Sequence, residues 1–545
     1  MSRIQRLQND LLTYERHGNS ILVRPKEQAF ALFTSHRGAH VTSQEAARRY
    51  FQTLPGPFYE LVGMLWPSQR YLNKVSFVTG RPGSGKSTIL KMLMQSLAHL
   101  FTVNENKRFR WLQIDPTDTY LPWLYQILPL DVEILRVSPQ DADGLAWDIA
   151  KDVVDDLMNQ ALQTGLFPEA LFQKTTDTFW YTKAREATGG VVTVYHDRGS
   201  AWLFHDLVIP IKYPQFLRPL LKQSIRTSGM ADSELVGRLG RDLLATTSSV
   251  INKMAVAAAY WRNAKKLFTL KDFLNSKSVM HLAYSPDMIP VLSGLGNAMT
   301  NLLILMALKR KDEHNHTILF CDESRYMSDL AGIDHLAAFG RASGLGAVIL
   351  AQGLPGLLSQ WGEKRTRELL DLVCTWITLS SGQETAQAFS HVVGQIEGLQ
   401  ESYGYSWTSS FGRTESSGMS GGTFNSSSGT TSGSSTTYSQ NFQIALKHAV
   451  LPAEITGLPL AYAETDQIHG YCFNPDVGAF RFNTDFLRYF RDVPASPVEG
   501  MPLRPAEQQI LKPWTLEDLR RLKLELTPEL ATALDDTWSP LGGIP

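Results

Sequence analysis

The chain has 545 residues, 43% of them apolar and 19% charged, and a net charge of -1 at neutral pH. That length is too great for one simple core and predicts two or three domains, while the ordinary balance of residue types excludes wholesale disorder. Near-neutrality excludes a molecule drawn as a whole to nucleic acid or acidic lipid, so an anionic partner has to meet a local patch. The three cysteines, Cys321, Cys374 and Cys472, stand far apart in apolar stretches and suggest neither a zinc site nor a disulfide framework. No stretch reaches the ~20 apolar residues that cross a bilayer; the longest, 302–308, has the length of a buried helix. The first nineteen residues are polar and lack the apolar core of a signal segment. The expectation is a soluble cytoplasmic protein, brought to the inner face of the plasma membrane only by a partner.

In chain order, residues 1–70 read as a small polar-faced module with helices over 44–54 and 58–66. Val75–Thr79 is a short β-prone run followed by a Gly-rich loop. Next comes an amphipathic helix with Ile89, Leu90, Met92, Leu93, Leu97 and Leu100 on its apolar side. Strands are expected at 109–114 and 132–137. Helical periodicity dominates 146–272, notably 147–162 and 235–263, with one strand signal at 190–195, and this stretch is taken as an all-helical inserted domain. Alternation resumes with a strand at 279–283, a helix at 295–309 and strands at 317–322, 346–351 and 373–379. The order predicts an α/β fold with a mostly parallel sheet, built from the separated segments 71–145 and 273–490. Residues 408–440 are mostly Ser, Thr and Gly and are expected to form a disordered surface loop. Strand pattern returns over 470–483, and the tail 491–545 is Pro-rich with a weak helix at 528–536.

The most specific chemistry lies in Gly80-Arg81-Pro82-Gly83-Ser84-Gly85-Lys86-Ser87, with Thr88 next in line. It satisfies the phosphate-loop pattern G-x-x-x-x-G-K-[ST]. The glycines let backbone N–H groups turn inward around an anion, and the helix that follows favours negative charge at its start. Lys86 can reach the β and γ phosphates of ATP, and the Ser87 hydroxyl can ligate Mg²⁺.

Four apolar residues, Ile318 to Cys321, precede the acids Asp322 and Glu323. Such a run reads as a strand buried on both faces, and ligands sit at the carboxyl ends of such strands. Asp322 would hold Mg²⁺ and Glu323 would polarise the attacking water. Gln352 ends another apolar strand and would face the γ-phosphate. Arg341, in a Gly-flanked turn, could reach the nucleotide of a neighbouring subunit as an arginine finger.

These landmarks together resemble the type IV coupling proteins of conjugation and type IV secretion (TraD/TraG-type), within the FtsK/HerA group of motor ATPases. The resemblance spans roughly 74–480 and includes Asp115-Pro116, Leu145-Ala146-Trp147-Asp148, Asp177-Thr178-Phe179-Trp180 with Ala184-Arg185, and Leu451-Pro452-Ala453-Glu454-Ile455. It implies a RecA-like P-loop core, ATP and Mg²⁺ as cofactors, a homo-hexameric ring with Arg341 acting in trans, and DNA as the cargo. Relaxase or secretion-channel proteins are the further partners it implies. Such proteins usually carry N-terminal transmembrane helices, and this sequence shows none.

Between Lys212 and Lys277 twelve Lys or Arg face four acids, a local excess of eight positive charges. That segment is a candidate DNA-backbone face, with Phe216, Tyr260 and Trp261 available to stack on bases. No zinc-finger, helix-turn-helix or RNP pattern calls for sequence-specific reading. Two other functions fit the motifs: an ATP-switched docking platform for protein substrates, and another FtsK/HerA-type or packaging motor. His314 and His316 lack further metal ligands, Ser324 lacks a histidine partner, and Asp115 and Asp118 read as flanking a turn at Pro116.

Overall fold

Runs such as Val75–Thr79, Thr317–Cys321 and Leu345–Ala351 have too few polar side chains to leave either face in water. Each is buried along its whole length in one nine-stranded sheet. The computed structural model describes residues 12–17, 20–25, 40–103, 109–115, 119–167, 178–233, 251–252, 254–283, 289–313, 315–323, 331–420, 423–461, 466–486 and 510–538. The described chain separates into two compact units, residues 1–41 with 390–451, and residues 42–389 with 452–545.

The larger unit holds the sheet. Its strands in chain order are β1 (Val75–Thr79), β2 (Arg110–Asp115), β3 (Glu133–Val137), β4 (Ser278–Ala283), β5 (Thr317–Cys321), β6 (Leu345–Ala351), β7 (Thr375–Thr378), β8 (Gln467–Asn474) and β9 (Gly478–Asp485). Across the sheet they run β9-β8-β7-β1-β6-β5-β2-β4-β3. All pairs from β7 to β3 are parallel, and β8 is antiparallel to both neighbours. Helix α1 (Lys86–Ala98) leaves the loop after β1 with Ile89, Leu90, Met92, Leu93 and Leu97 buried. The mostly parallel α/β architecture expected from the strand order is the one observed.

Between β3 and β4 the described residues are mostly helical, including α2 (Asp156–Leu166), α3 (Thr178–Asp197) and α4 (Phe204–Lys212). The segment leaves and rejoins the core through a two-residue ribbon, Ala146–Trp147 against Leu267–Phe268. Buried Asp152 fastens it by accepting the Trp147 indole N–H at 2.7 Å and the Leu270 N–H at 2.7 Å. Helix α5 (Ile289–Arg310) packs on α2 at almost backbone contact. A Cβ on Gly165 would lie 2.3 Å from Ala298 Cα, and one on Gly294 2.9 Å from the Leu166 carbonyl oxygen.

Three local expectations are corrected. Residues 58–66 are a hairpin, Phe58–Leu61 with Met64–Pro67, and not a helix. Gly63, at φ +73, makes the turn, and alternate residues Tyr59 and Leu61 point into the core beside Met64 and Trp66. Residues 190–195 lie inside α3 and not in a strand. Val191, Val194 and Tyr195 share its buried face, so tertiary burial outweighs the β preference of valine. Within 408–440, expected to be disordered, the described residues 408–420 and 423–440 lie in a long antiparallel ribbon of the smaller unit, Gln395–Ser420 with Thr423–His448. Backbone pairing requires no apolar core, and the many threonines favour extended backbone. Of the helix expected over 235–263, residues 235–250 lie outside the described residues, while 254–261 is helical.

The tail is a larger element than its weak periodicity indicates. Within 510–538 it forms helices Leu516–Arg521 and Pro528–Trp538 and docks on the helical segment. Fully buried Asp206 receives both Arg521 guanidinium nitrogens at 2.7 and 2.8 Å and the Trp514 indole N–H at 3.2 Å. Arg262 adds a 2.8 Å pair with Asp518. Removing one partner of a desolvated pair leaves an uncompensated charge. Asp206→Ala should therefore lower stability by about 3 kcal/mol, measured by denaturant unfolding, and speed amide exchange across 510–538. Unchanged exchange there would contradict this docking.

Among the described residues, no helix is long and apolar enough to cross a membrane.

Candidate functional site

The parallel register places the ends of β1, β5 and β6 along one edge of the sheet, and the site's residues stand on the turns leaving that edge or, for Lys86 and Ser87, at the start of α1. The loop after β1 turns through Gly83 at φ +77 and Gly85 at φ +98, left-handed values that a side chain would strain. A Cβ on Gly85 would also meet Ile468 Cδ1 at 3.0 Å. The loop is anchored to the sheet by Gly80 N–H to the Ala351 carbonyl (3.3 Å) and Arg81 N–H to the Ser380 carbonyl (2.7 Å). Lys86, largely buried, curls back so that Nζ donates to the carbonyls of Gly80 (2.8 Å) and Arg81 (3.2 Å). Its charge therefore sits inside the loop's concavity, where phosphate oxygens would be bound. Arg81, Pro82, Gly83 and Ser87 are exposed, Ser84 is buried, and Gly85 and Thr88 are half-buried.

Asp322 and Glu323 follow β5 directly. Burial, then the nearby charges of Asp115 and Glu323, push the Asp322 carboxyl up to about 6, against the Tyr120 hydrogen bond and Lys86 that hold it down. Such a concentration of negative charge is a place where a cation is stabilising. The oxygen donors are of the type Mg²⁺ selects: the Asp322 carboxylate and the Ser87 hydroxyl. The Tyr120 hydroxyl donates to Asp322 Oδ2 at 2.7 Å and fixes that carboxylate. The residues thus fit a magnesium–nucleotide complex.

Glu323 has φ +60, a left-handed conformation uncommon outside glycine. That backbone turns its carboxylate toward β6, where Gln352 Nε2 donates to Oε2 at 2.8 Å. A cavity of about 540 Å³ opens beside the pair, lined by Arg81, Glu323, Gln352, Gly353, Gln383 and Glu384 among others.

The structure thus brings Lys86, Ser87, Asp322, Glu323 and Gln352 to one edge, and it leaves Arg341 apart. Arg341 is exposed on the short turn Gly340–Ser343, before β6, whereas Gln352 follows β6. The seven residues of that strand span about 23 Å at ~3.3 Å per residue. Arg341 cannot reach the loop of its own chain.

Sequence reasoning set Asp115 aside as part of a turn and passed over Tyr120 and His281, and all three are buried beneath the site. Asp115 is fully buried, accepts the Tyr120 backbone N–H at 2.8 Å, and meets His281 Nε2 at 3.2 Å. Tyr120 and His281 are fully buried as well. The signal available was Asp115 at the end of an apolar strand, in the same position as Asp322; Pro116 and Asp118, the expected turn, lie outside the described residues.

The candidate DNA face is less open than its composition suggests. Arg218, Lys222, Arg226, Arg262 and Lys277 are paired with Asp232, Glu529, Asp156, Asp518 and Asp131. Phe216 and Trp261 are core residues, packed on Trp514 and Phe204 at ring-centroid distances of 5.2 and 5.8 Å, so neither can stack on a base. Of the set-aside residues, His316 is buried against Asn73 Oδ1 at 2.7 Å, and His314 and Ser324 lie outside the described residues.

Comparison with known proteins gives a consistent result. Residues 62–476 match the model of the type IV secretion-system coupling protein DNA-binding domain. Among solved structures, the unbound form of the bacterial conjugative coupling protein TrwBdeltaN70 superposes with a TM-score of 0.63 at 17% identity, covering 85% of this chain and 96% of that one. The plasmid coupling protein TrwB in complex with ADP and Mg²⁺ gives 0.61 at 16% identity, with 82% and 93% covered. The same protein with the non-hydrolysable analogue ADPNP gives 0.63 at 17% identity, with 85% and 97% covered. No curated protein sequence matches significantly.

Proposed function

Because this chain belongs to the family of the type IV secretion-system coupling protein DNA-binding domain, we propose that it is an ATP-hydrolysing motor that moves or recruits DNA. The observation that supports it most is the gathering at one sheet edge of Lys86, folded into the phosphate loop, with Asp322 and the hydrogen-bonded pair Glu323 and Gln352. TrwB solved with ADP and Mg²⁺ is in keeping with that reading.

In this reading Lys86 releases the Gly80 and Arg81 carbonyls and transfers its charge to the β and γ phosphates. The loop offers the backbone N–H groups of Gly83 and Gly85, with Thr88 in the first turn of α1. Ser87 and Asp322 hold Mg²⁺, whose charge neutralises the phosphates. Glu323 accepts a proton from the attacking water, and its left-handed backbone fixes that carboxylate against Gln352. Gln352 registers hydrolysis by exchanging its Glu323 hydrogen bond for one to the departing phosphate. Phosphoryl transfer needs this positioning and charge neutralisation more than covalent chemistry.

Arg341 acts on a neighbouring copy's nucleotide, which requires a ring of subunits, with a homo-hexamer the expected number. Residues 146–272 form the helical domain of this reading, 71–145 with 273–490 the nucleotide-binding domain, and 491–545 the tail. Arg341→Ala should lower turnover by about 10³-fold with ATP binding unchanged. Mixing it with Glu323→Gln, itself inactive, should restore measurable turnover, since mixed rings contain interfaces with both groups intact. No recovery on mixing would remove the trans assignment.

The motor reading is tested by ATP-dependent displacement of a third strand from a DNA triplex. Displacement with ATP but not with ADPNP supports it. DNA-independent turnover that responds only to an added protein substrate would favour the docking platform.

A further inference from the structure

The residue that joins the two halves of the site is not one of those the motifs name. Tyr120 belongs to neither the phosphate loop nor the acidic strand end, yet its hydroxyl meets Asp322 and its ring lies beside Lys91 on the helix that leaves the loop. It is fully buried and precedes the helix Leu121–Ile127. Its backbone N–H is held by Asp115 Oδ2 at 2.8 Å, and Asp115 is braced from below by His281 on β4. Lys91 Nζ, from α1, lies 5.8 Å from the centre of its ring. The ring is therefore fixed at its root and along its side, and only the hydroxyl faces the site.

We propose that Tyr120 is a positioning residue for the divalent cation of the bound nucleotide, its hydroxyl orienting the Asp322 carboxylate. The inference rests on the magnesium–nucleotide reading above. Magnesium demands near-ideal octahedral geometry and tolerates misplaced ligands poorly. An aspartate carboxyl has a broad torsion about its last bond, so an Asp322 without a fixed partner would present its oxygens over a range of directions. One short hydrogen bond to a charged acceptor, 2.7 Å to Oδ2, removes that freedom and leaves Oδ1 for the cation side. Partners that orient metal-holding groups in this way typically govern metal affinity by 10- to 100-fold.

A space-filling role makes a different forecast. The aromatic ring alone fills the space between α1 and β5, and phenylalanine would fill it equally well. Only the hydroxyl is needed for the cation.

The test is equilibrium binding of a fluorescent ADP analogue to the full chain, in EDTA and across a MgCl₂ titration, for the unaltered protein and Tyr120→Phe. The expected result is unchanged affinity in EDTA and a rise of about tenfold or more in the Mg²⁺ concentration for half-maximal enhancement of binding. Coincident Mg²⁺ titrations would reduce Tyr120 to packing and overturn the proposal. An equal loss in EDTA would also overturn it, by showing that the residue shapes the loop. Adding Tyr120→Phe to Asp322→Asn should cost no further Mg²⁺ dependence if the hydroxyl works through that carboxylate; additive losses would contradict it. Absence of ADP binding by the unaltered chain would reject the nucleotide site itself, an outcome distinct from any of these.

Discussion

Lys86→Thr is expected to lower ATP hydrolysis by about 10³-fold, the scale seen when one preorganised charge or donor is removed from a transition state. Lys86 Nζ lies within the loop at 2.8 Å from the Gly80 carbonyl and 3.2 Å from that of Arg81. Two carbonyls hold it loosely enough that phosphate oxygens, which carry full charge, displace them. Threonine has neither the charge nor the reach. The fold should survive, because the loop is held by backbone bonds to the Ala351 and Ser380 carbonyls that do not involve this side chain. Phosphate release measured beside ADP binding checks the claim, and turnover above about one tenth of the unaltered rate would show that the charge comes from another residue.

Glu323→Gln should have the second large effect and a different signature. Glutamine keeps the size of the side chain and one acceptor oxygen, so the 2.8 Å contact from Gln352 Nε2 can persist. What it loses is the capacity to take a proton from water. Turnover should fall by about 10²- to 10⁴-fold, the usual worth of a positioned general base, while ATP is still bound and accumulates unhydrolysed. A variant that neither binds nor hydrolyses would instead place Glu323 among the groups that hold the nucleotide. The two substitutions separate charge neutralisation from water activation at one sheet edge.

The core was legible because its signals are local. Val75–Thr79, the loop through Ser87 and the apolar side of α1 state strand, turn and helix within a few turns of chain, and Thr317–Cys321 and Leu345–Ala351 are too apolar to be anything but buried strands. The parts that escaped are those decided by distant partners. Residues 190–195 look like a strand until Tyr195 is seen donating its hydroxyl to the Asp206 carbonyl from a helix. The hairpin at 58–66 turns on Val62 and Gly63, both at positive φ, which helical periodicity conceals. The ribbon over 395–448 is held by pairing its own two halves and has no pattern to betray it. The tail's hold on Asp206 depends on a contact between residues 315 positions apart.

The same contrast applies at the site. Lys86, Ser87, Asp322, Glu323 and Gln352 carry their meaning in short motifs, and the structure gathers them at one edge. Asp115 and Tyr120 stand close in sequence, but His281 and Asp322 reach them from distant segments, so the cluster meets only after folding. The basic stretch 212–277 shows the opposite error. Its composition counts charges, but five of those cations are already matched by carboxylates, several from the tail and from α2. Net charge in a segment is a property of the surface only once its neighbours are known.

The central claim is that ATP hydrolysis at this edge is coupled to DNA. The most direct measurement is the ATPase rate of the full chain with and without single- and double-stranded DNA across a salt series, with Lys86→Thr as the blank. The account predicts stimulation by DNA that fades as salt rises, because contacts to phosphates release counterions. A rate that is abolished by Lys86→Thr yet indifferent to either DNA at low salt would contradict it.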